Sequence, residues 1–222
     1  MFKRLLCVLI AVVMMGPQVA PAQAEQVTVF AAASMKTALE IIIDDFEKAS
    51  GIDVTLSVAG SSVLARLIQN GATAVVIISA NSDWMDHLEK AGRITGESRV
   101  DLVGNTLVLI GREGEQVEIS ENLDLLQLLG PGRLAMALVE AVPAGIYGKA
   151  ALSSLGLWED VHTKVAQVDN VRAALALVAQ GAVPIGIVYA SDAKADPRVV
   201  ILGQFPKTSH PPIHYPAALV TG

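Results

Sequence analysis

The chain has 222 residues, of which 52% are hydrophobic and only 4% aromatic, and its formal net charge at pH 7 is −6. This composition argues against a disordered chain and predicts one large or two small α/β domains with an aliphatic core. The acidic balance disfavours a nucleic-acid partner, because contacts to phosphates require clustered lysine and arginine side chains.

The amino terminus has the pattern of a secretory signal peptide. Lys3 and Arg4 precede an apolar run from Leu5 to Met15, and Ala22-Gln23-Ala24 offers small residues for cleavage. The run is shorter than the roughly 20 residues that a membrane-spanning helix needs, so a retained anchor is the weaker interpretation. The only cysteine of the sequence, Cys7, lies within this leader. We therefore predict that the leader is removed on export and that the mature chain has no disulfide.

After the leader (1–24), the sequence alternates between two patterns. Short apolar or β-branched runs predict strands at 26–32, 53–58, 74–79, 106–110, 134–139, 164–168, 185–189 and 215–220. Apolar residues at helical spacing predict helices at 35–49, 62–70, 83–91, 123–129, 146–155 and 171–180. This alternation predicts mostly parallel sheets covered by helices. We expect two α/β lobes with a cleft between them, lobe I formed by 25–104 and about 206–222 and lobe II by 105–205.

Ligands of open α/β sheets bind at the carboxyl ends of the strands, where helix amino termini point free N–H groups outward. Two such junctions look alike, since Phe30–Ser34 and Val58–Ser62 each lead through small residues to a serine at the start of a helix. Small residues let an anion approach the backbone, and the hydroxyls of Ser34 and Ser61 add donors without positive charge. The alternative interpretation is that both serines occupy N-cap positions and only cap their helices.

The predicted lobe II offers three comparable features. Val142–Tyr147 and Asp169–Arg172 both enter helices and could present backbone N–H groups. Tyr189 ends a predicted buried strand, where its hydroxyl would emerge at the cleft. Each feature also has an ordinary explanation, because proline, aspartate and asparagine are common at helix starts and a lone tyrosine at a strand end more often packs than binds.

Taken together and in this order, these segments resemble the periplasmic molybdate-binding proteins of ABC transporters, within the bacterial extracellular solute-binding proteins. The matching segments are Val29–Ser34, Ser61–Arg66, Val142–Tyr147, Asp169–Arg172 and Gly186–Tyr189. The resemblance covers nearly the whole chain after the leader. It implies the two-lobed periplasmic-binding-protein fold of type II, in which each lobe is a mostly parallel sheet flanked by helices. It also implies a periplasmic monomer without cofactor or nucleic acid, whose partners are molybdate or tungstate and the membrane permease of the transporter.

The resemblance assigns the oxyanion to five residues. It implies hydroxyl and backbone donors from Ser34 and Ser61, backbone N–H groups from Ala144 and Val171, and the phenolic hydroxyl of Tyr189. Molybdenum would be bound only within the oxyanion, with no residue acting as a direct ligand of a metal cation. Closure of the lobes would remove the dianion from water, and a site made only of donors would reject an oxyanion that keeps a proton, such as phosphate.

The sequence departs from the family pattern at three places. Val75 and Asn81 stand where the family usually has aspartates, and Ala137-Leu138-Val139 replaces Gly-Asp-Pro. We expect these positions near strand ends around the cleft, where they would alter lobe closure or the hydrogen bonds behind the site. The family also continues beyond the position of Gly222 into helices that pack on lobe I, so we expect either an exposed apolar face there or a truncated chain.

Other interpretations stay open at this point. The same fold could bind another oxyanion, such as sulfate, or bind weakly because of the departures. A serine hydrolase would use Gly60-Ser61-Ser62 as its nucleophile turn, with one of His87, His162, His210 or His214 as base. The sequence has, however, no Gly-x-Ser-x-Gly turn and no histidine at the end of a predicted core strand. Zinc at His210 and His214 is disfavoured, because Pro211-Pro212 prevents a helix that would align them. We therefore expect neither an enzyme nor a metal-cation site.

Overall fold

A computed structural model describes residues 26–221, in which ten strands form two five-stranded sheets. The strands are β1 (Gln26–Ala32), β2 (Asp53–Ala59), β3 (Val76–Ile78), β4 (Val100–Gly104), β5 (Leu107–Gly111), β6 (Leu134–Ala137), β7 (Val165–Val168), β8 (Ile185–Tyr189), β9 (Val200–Gln204) and β10 (His214–Leu219). Every predicted strand is present within two residues of its predicted bounds, whereas β4 and β9 were not predicted. The predicted signal peptide lies outside the described residues.

Helices alternate with these strands along the chain. The α-helices are α1 (Lys36–Ser50), α2 (Ser61–Gln69), α3 (Ser82–Lys90), α4 (Leu125–Leu129), α5 (Pro143–Ser154), α6 (Trp158–Val161), α7 (Val171–Ala179) and α8 (Ala190–Lys194). Helix α5 begins earlier than predicted, because proline is well tolerated at the first helical position. The short helices α6 and α8 were not predicted, since one turn contains too few residues for a periodic pattern. Within residues 26–221, no helix is both long and apolar enough to cross a membrane.

Lobe I consists of the first sheet, with strand order β2-β1-β3-β10-β4, and helices α1 to α3. Strand β1 pairs in parallel with β2 and β3, and β10 pairs antiparallel with β3 and β4. Strand β4 is exposed along its whole length, and Ile41 and Ile42 of α1 are 64% and 58% exposed. Lobe I therefore carries exposed apolar side chains on α1 and β4.

Lobe II consists of the second sheet, with strand order β7-β6-β8-β5-β9, and helices α4 to α8. Strand β6 pairs in parallel with β7 and β8, and β5 pairs antiparallel with β8 and β9. Strands β5, β6 and β8 are buried at every residue, which explains their continuous apolar sequences. The two mostly parallel sheets with flanking helices confirm the predicted fold class.

The chain passes between the two sheets twice, from β4 to β5 and from β9 to β10. Asn105 and Thr106 form the first of these crossovers. In lobe I, strands β1, β2 and β3 lead into α1, α2 and α3, and in lobe II, strands β6, β7 and β8 lead into α5, α7 and α8. Each lobe therefore presents a set of strand-to-helix junctions at the carboxyl edge of its sheet, where a ligand is expected.

Candidate ligand-binding site

The two serines of lobe I do not occupy the N-cap positions predicted from the sequence. Ser34 lies in a short 3-10 turn (Ala33–Met35) between β1 and α1, and Ser61 is the first residue of α2, after the N-cap Gly60. Neither α1 nor α2 has a side-chain cap. Both serines are buried, with relative exposures of 6% and 2%. The interpretation of these serines as helix caps is therefore wrong, and their hydroxyls have other partners.

The hydroxyl of Ser61 is held by the residue that follows β3. The backbone N–H of Ala80 donates to Oγ of Ser61 over 3.0 Å. A backbone N–H can only donate, so the serine oxygen accepts in this bond and its own proton remains available. Sequence reasoning missed Ala80, because its role depends on which strands are neighbours in the sheet.

The hydroxyl of Ser34 contacts strand β10. Its Oγ lies 2.8 Å from Oη of Tyr215, and the side-chain nitrogen of Asn105 donates to the same phenol oxygen over 3.1 Å. Tyr215 is completely buried, and burial is the main cause that raises its pKa above the usual range. The phenol therefore stays neutral at ordinary pH. Neither Tyr215 nor Asn105 was predicted as part of the site.

Two helices of lobe II begin at the candidate site. Ala144 is the second residue of α5, and Val171 is the first residue of α7. The first N–H groups of an α-helix have no acceptor within the helix, so both positions present donors. Asn170, the N-cap of α7, accepts the N–H groups of Arg172 and Ala173 at 3.0 and 3.1 Å. The N–H of Val171 lies outside this cap.

Close packing brings the start of α5 to the edge of the sheet. A Cβ atom at Gly145 would collide with the carbonyl oxygens of Ala137 and Leu138, where β6 ends. Only glycine allows the helix to approach the strand this closely. This packing positions the neighbouring Ala144 at the site.

Tyr189 ends β8 and is only 1% exposed. Its Oη is buried and has no hydrogen-bond partner among the described residues. Burial, followed by smaller effects of Tyr215, Tyr147 and Asp192, raises its pKa well above the ordinary value. The hydroxyl is therefore a neutral donor. Buried hydroxyls are almost always hydrogen-bonded, so the unpartnered hydroxyl of Tyr189, which lines a hollow between the lobes, is a candidate contact for a ligand.

All five residues predicted to hold an oxyanion line one hollow between the lobes. The hollow has an empty volume of about 210 Å³, its opening included. Its lining consists of Ala32, Ala33, Ser34, Ala59, Gly60, Ser61, Ala80, Val142, Pro143, Ala144, Asn170, Val171 and Tyr189. Among these described residues none carries a charge and none is a histidine. A ligand of this hollow is therefore surrounded by small side chains and neutral donors.

The two lobes touch each other beside the hollow. The indole Nε1 of Trp84 in lobe I donates to the carbonyl oxygen of Ala141 in lobe II over 2.9 Å. In the opposite direction, Nη2 of Arg172 in lobe II donates to Oγ1 of Thr37 in lobe I over 3.1 Å. These bonds need both lobes in contact, so the structure represents a closed arrangement.

An ion pair between partly exposed Arg172 and buried Asp192 lies behind the lobe II side of the site. Nε of Arg172 is 2.5 Å from Oδ1 of Asp192, and the other carboxylate oxygen accepts the N–H of Tyr189 over 3.4 Å. Burial raises the pKa of Asp192 to about 6, although Arg172 and the N–H of Tyr189 act in the opposite direction. Sequence reasoning missed this pair, because no charge pattern connects two residues on separate helices.

The three departures from the family pattern fall at different places. Val75 directly precedes β3 and is 44% exposed, so it lies at the strand end opposite the hollow, and the expectation that it lies near the cleft is wrong. Asn81 follows β3, and its buried Oδ1 accepts the hydroxyl of Ser79 over 3.3 Å. Leu138 follows β6, and its N–H donates to the carbonyl of Val168. Asn81 and Leu138 are thus at the cleft end of their strands, but neither lines the hollow.

The geometry bears on the hydrolase and zinc alternatives as well. The partner of Ser61 Oγ is the N–H of Ala80, and no histidine lines the described hollow, so the pairing of nucleophile and base is not formed there. For the zinc alternative, Nδ1 of His210 lies 2.8 Å from the carbonyl oxygen of Pro211. Within residues 26–221, no group of three or more histidine, cysteine or acidic side chains is arranged to hold a metal ion.

Comparisons with known proteins agree with this geometry. The profile of the family described as bacterial extracellular solute-binding protein matches residues 27–222. The chain is 43% identical over 200 residues to the molybdate-binding protein ModA of Escherichia coli (strain K12), covering 89% of this chain and 78% of that protein. It is 37% identical to the molybdate-binding protein ModA of Haemophilus influenzae, covering 99% and 88% of the two chains. The periplasmic molybdate-binding protein of Azotobacter vinelandii has a similar fold, with a TM-score of 0.76 over 87% of this chain and 85% of that chain at 24% identity.

Proposed function

Because the chain belongs to the bacterial extracellular solute-binding protein family, we propose that it binds molybdate or tungstate in the periplasm and delivers the oxyanion to the membrane permease of an ABC importer. One observation carries the proposal above the others. The phenol oxygen of Tyr189 is buried without a partner among the described residues, and Tyr189 lines the same uncharged hollow as Ser34 and Ser61. A neutral donor in such a place is suited to an anion.

The proposed contacts come from both lobes. Ser34 and Ser61 donate from lobe I, the N–H groups of Ala144 and Val171 donate from helix starts in lobe II, and Tyr189 donates its hydroxyl. Each hydrogen bond to a charged group contributes on the order of 1.5–3 kcal/mol, so several together offset the desolvation of a dianion. The helix amino termini add partial positive charge without any lysine or arginine. Closure then excludes water from the ligand.

The named relatives favour molybdate among tetrahedral oxyanions. Two proteins that are 43% and 37% identical to this chain carry the name molybdate-binding protein. Sulfate is the second candidate, because the uncharged, donor-lined hollow suits any unprotonated dianion of similar shape. The two ligands differ mainly in size, so direct binding measurements distinguish them.

The proposal extends to export and assembly. The leader at 1–24 would direct the chain to the periplasm, where it would act as a monomer without cofactor, nucleic-acid partner or enzymatic activity. We place lobe I at 25–104 and about 206–222 and lobe II at 105–205. The membership of the two sheets supports this division, since β10 joins the sheet of β1 to β4 and β5 to β9 form the other.

A ligand panel tests the proposed function. The exported protein is freed of bound anion by unfolding and refolding, and its melting temperature is measured with molybdate, tungstate, sulfate or phosphate. A ligand at about 100 times its dissociation constant stabilises the folded state by about 2.7 kcal/mol, so molybdate and tungstate should raise the melting temperature clearly. Phosphate should raise the melting temperature far less than molybdate does. A shift with sulfate alone would favour the second candidate, and no shift with any of the four would overturn the proposal.

A further inference from the structure

Asn105 has a fixed orientation in the first crossover between the lobes. Its side-chain oxygen accepts the backbone N–H of Thr106 over 2.9 Å. Because a backbone N–H can only donate, the amide oxygen must face Thr106, and the NH2 group must face the other way. That group donates to Oγ of Ser191 at 2.8 Å and to Oη of Tyr215 at 3.1 Å. The backbone therefore determines that Tyr215 receives a hydrogen bond from Asn105.

This bond decides the direction of the next one. The phenol of Tyr215 has a single proton, and its oxygen is hydrogen-bonded to Asn105 and Ser34. If Ser34 donated to Tyr215, the phenol proton would lack an acceptor inside a fully buried side chain, which is costly. Tyr215 therefore donates to Oγ of Ser34 over 2.8 Å.

Ser34 is left with its own proton free for the hollow that it lines. Building on the proposed function, we propose that Asn105 and Tyr215 are positioning residues that make Ser34 a donor to the oxyanion, so that the site selects against oxyanions that keep a proton. A ligand O–H needs an acceptor, and the Oγ of Ser34 already accepts from Tyr215. The hydrogen bonds from Asn105 to Tyr215 and from Tyr215 to Ser34, together called the relay, thus make Ser34 a donor in its contact with the ligand.

Ser61 is also made a donor toward the hollow, but by a single hydrogen bond. The N–H of Ala80 donates directly to Oγ of Ser61 over 3.0 Å, so Ser61 also has a free proton. A backbone N–H orients the hydroxyl of Ser61, whereas the side chains of Asn105 and Tyr215 orient that of Ser34. Side-chain substitution can therefore turn Ser34, but not Ser61, from a donor into an acceptor.

Two variants interrupt or reverse the relay. Tyr215→Phe removes the donor to Ser34 and frees its Oγ to accept a proton from the ligand. Asn105→Asp keeps the shape of the side chain but places a carboxylate oxygen where the NH2 group was, and this oxygen takes the phenol proton. Ser34 then donates to Tyr215 and offers a lone pair to the hollow. Ser191→Ala is the matched control, because it removes the other hydrogen bond of Asn105 and leaves the relay intact.

The measured quantity is the preference for molybdate over phosphate near pH 8, where phosphate keeps one proton and both ligands are dianions. Phosphate is titrated in competition with bound molybdate. The charge that Asn105→Asp adds affects both dianions alike and cancels in the ratio of dissociation constants. In wild type the phosphate O–H lacks an acceptor, and in both relay variants Ser34 can accept it. We therefore expect the preference for molybdate to fall roughly tenfold or more in both relay variants and to stay unchanged in Ser191→Ala.

The outcomes separate this inference from the proposed function. If wild type binds molybdate and the preference is unchanged in both relay variants, the relay is overturned and the proposed function stands. If wild type binds neither molybdate nor tungstate, both are overturned. An equal loss of preference in Ser191→Ala would show that Asn105 acts through the crossover rather than through Ser34, which also overturns the relay. Circular dichroism establishes folding first, and if Tyr215→Phe does not fold, Asn105→Asp decides alone.

Discussion

The guanidinium of Arg172 lies 2.5 Å from the fully buried carboxylate of Asp192 and also donates to Thr37 in the other lobe over 3.1 Å. This ion pair supports two residues of the proposed site. Arg172 directly follows Val171, and Asp192 accepts the backbone N–H of Tyr189. One ion pair thus lies behind the lobe II contacts and takes part in the contact between the lobes.

Asp192 should give the protein a distinct dependence of stability on pH. Burial raises its pKa from the ordinary 3.8 to about 6, although Arg172 and the N–H of Tyr189 oppose this shift. The folded state therefore holds a proton more tightly than the unfolded state. The resulting contribution to stability is complete below pH 3.8 and is lost as the pH rises through about 6. At about 1.4 kcal/mol per pKa unit, the loss is on the order of 3 kcal/mol.

The variant Asp192→Asn isolates this titration. Urea unfolding of both proteins from about pH 4 to about pH 7.5 gives their free energies of unfolding. That of wild type should fall relative to that of the variant as the pH rises, and the difference should level off above about pH 7. Parallel profiles over this range would show that Asp192 does not titrate there.

The hydroxyl of Tyr189 should affect ligand binding and stability in opposite ways. Tyr189→Phe removes a donor proposed to contact the oxyanion, so molybdate affinity should fall roughly 10- to 100-fold. The same change removes a buried hydroxyl without a partner among the described residues, so the ligand-free protein should be as stable as wild type or more stable. Calorimetric titration and thermal unfolding measure the two effects. Tyr147→Phe is the control, because Tyr147 is buried but does not line the hollow, and its affinity should equal that of wild type.

The sequence predicted the fold well where its local pattern reflects burial. Strand β8 was predicted with its correct bounds, since its five residues are all buried and form a continuous apolar run. The exposed edge strand β4 was missed, because no core face imposes a pattern on it. The misplacement of Val75 has a similar origin: local sequence shows that a strand is near, but not that Val75 stands at the end opposite the hollow.

For the candidate site, local motifs pointed to residues at or beside the junctions between strands and helices, and these residues line the hollow. Ser61, Ala144 and Val171 each lie in the first turn of a helix, where a motif can be recognised. Tyr215 and Asn105 were missed, because they reach Ser34 from another strand and from a crossover, which only the folded chain brings together. The orientation of hydroxyl protons depends on such long-range bonds.

Gly60 should be required for the lobes to close completely. Its backbone angles, φ −62° and ψ 138°, suit any residue, but a Cβ would lie 2.8 Å from the carbonyl oxygen of Asp169 and 3.2 Å from a methyl of Val142 in lobe II. Gly60→Ala should therefore leave lobe I folded and hold the lobes apart. Overpacking of this kind costs about 1–3 kcal/mol, so molybdate affinity should fall roughly 5- to 100-fold in calorimetric titration.

The matched control for this substitution is Gly96→Ala. The three atoms nearest to a Cβ at Gly96 all belong to the flexible side chain of Glu89 in lobe I, so affinity should not change. Small-angle X-ray scattering supplies a second measurement, because molybdate should make wild type and Gly96→Ala more compact and Gly60→Ala less so. Equal compaction of all three proteins would show that Gly60 does not limit closure.

The indole of Trp84 should stabilise the closed arrangement through its bond to the carbonyl oxygen of Ala141. Trp84→Phe keeps an aromatic ring and removes the donor. A hydrogen bond of this kind contributes about 0.5–1.5 kcal/mol net, and this one forms only when the lobes meet, so molybdate should dissociate roughly 2- to 12-fold faster. Trp158→Phe is the control. Nζ of Lys149, also in lobe II, lies 5.5 Å from the ring centre of Trp158, so this tryptophan should not affect dissociation.

Since Trp84 and Trp158 are the only tryptophans of the sequence, stopped-flow fluorescence of Trp158→Phe follows Trp84 alone. The fluorescence of Trp84 should change on closure. Dissociation rates are measured by displacing bound molybdate with tungstate. Equal rates for wild type and Trp84→Phe would show that the bond across the cleft does not hold the lobes together.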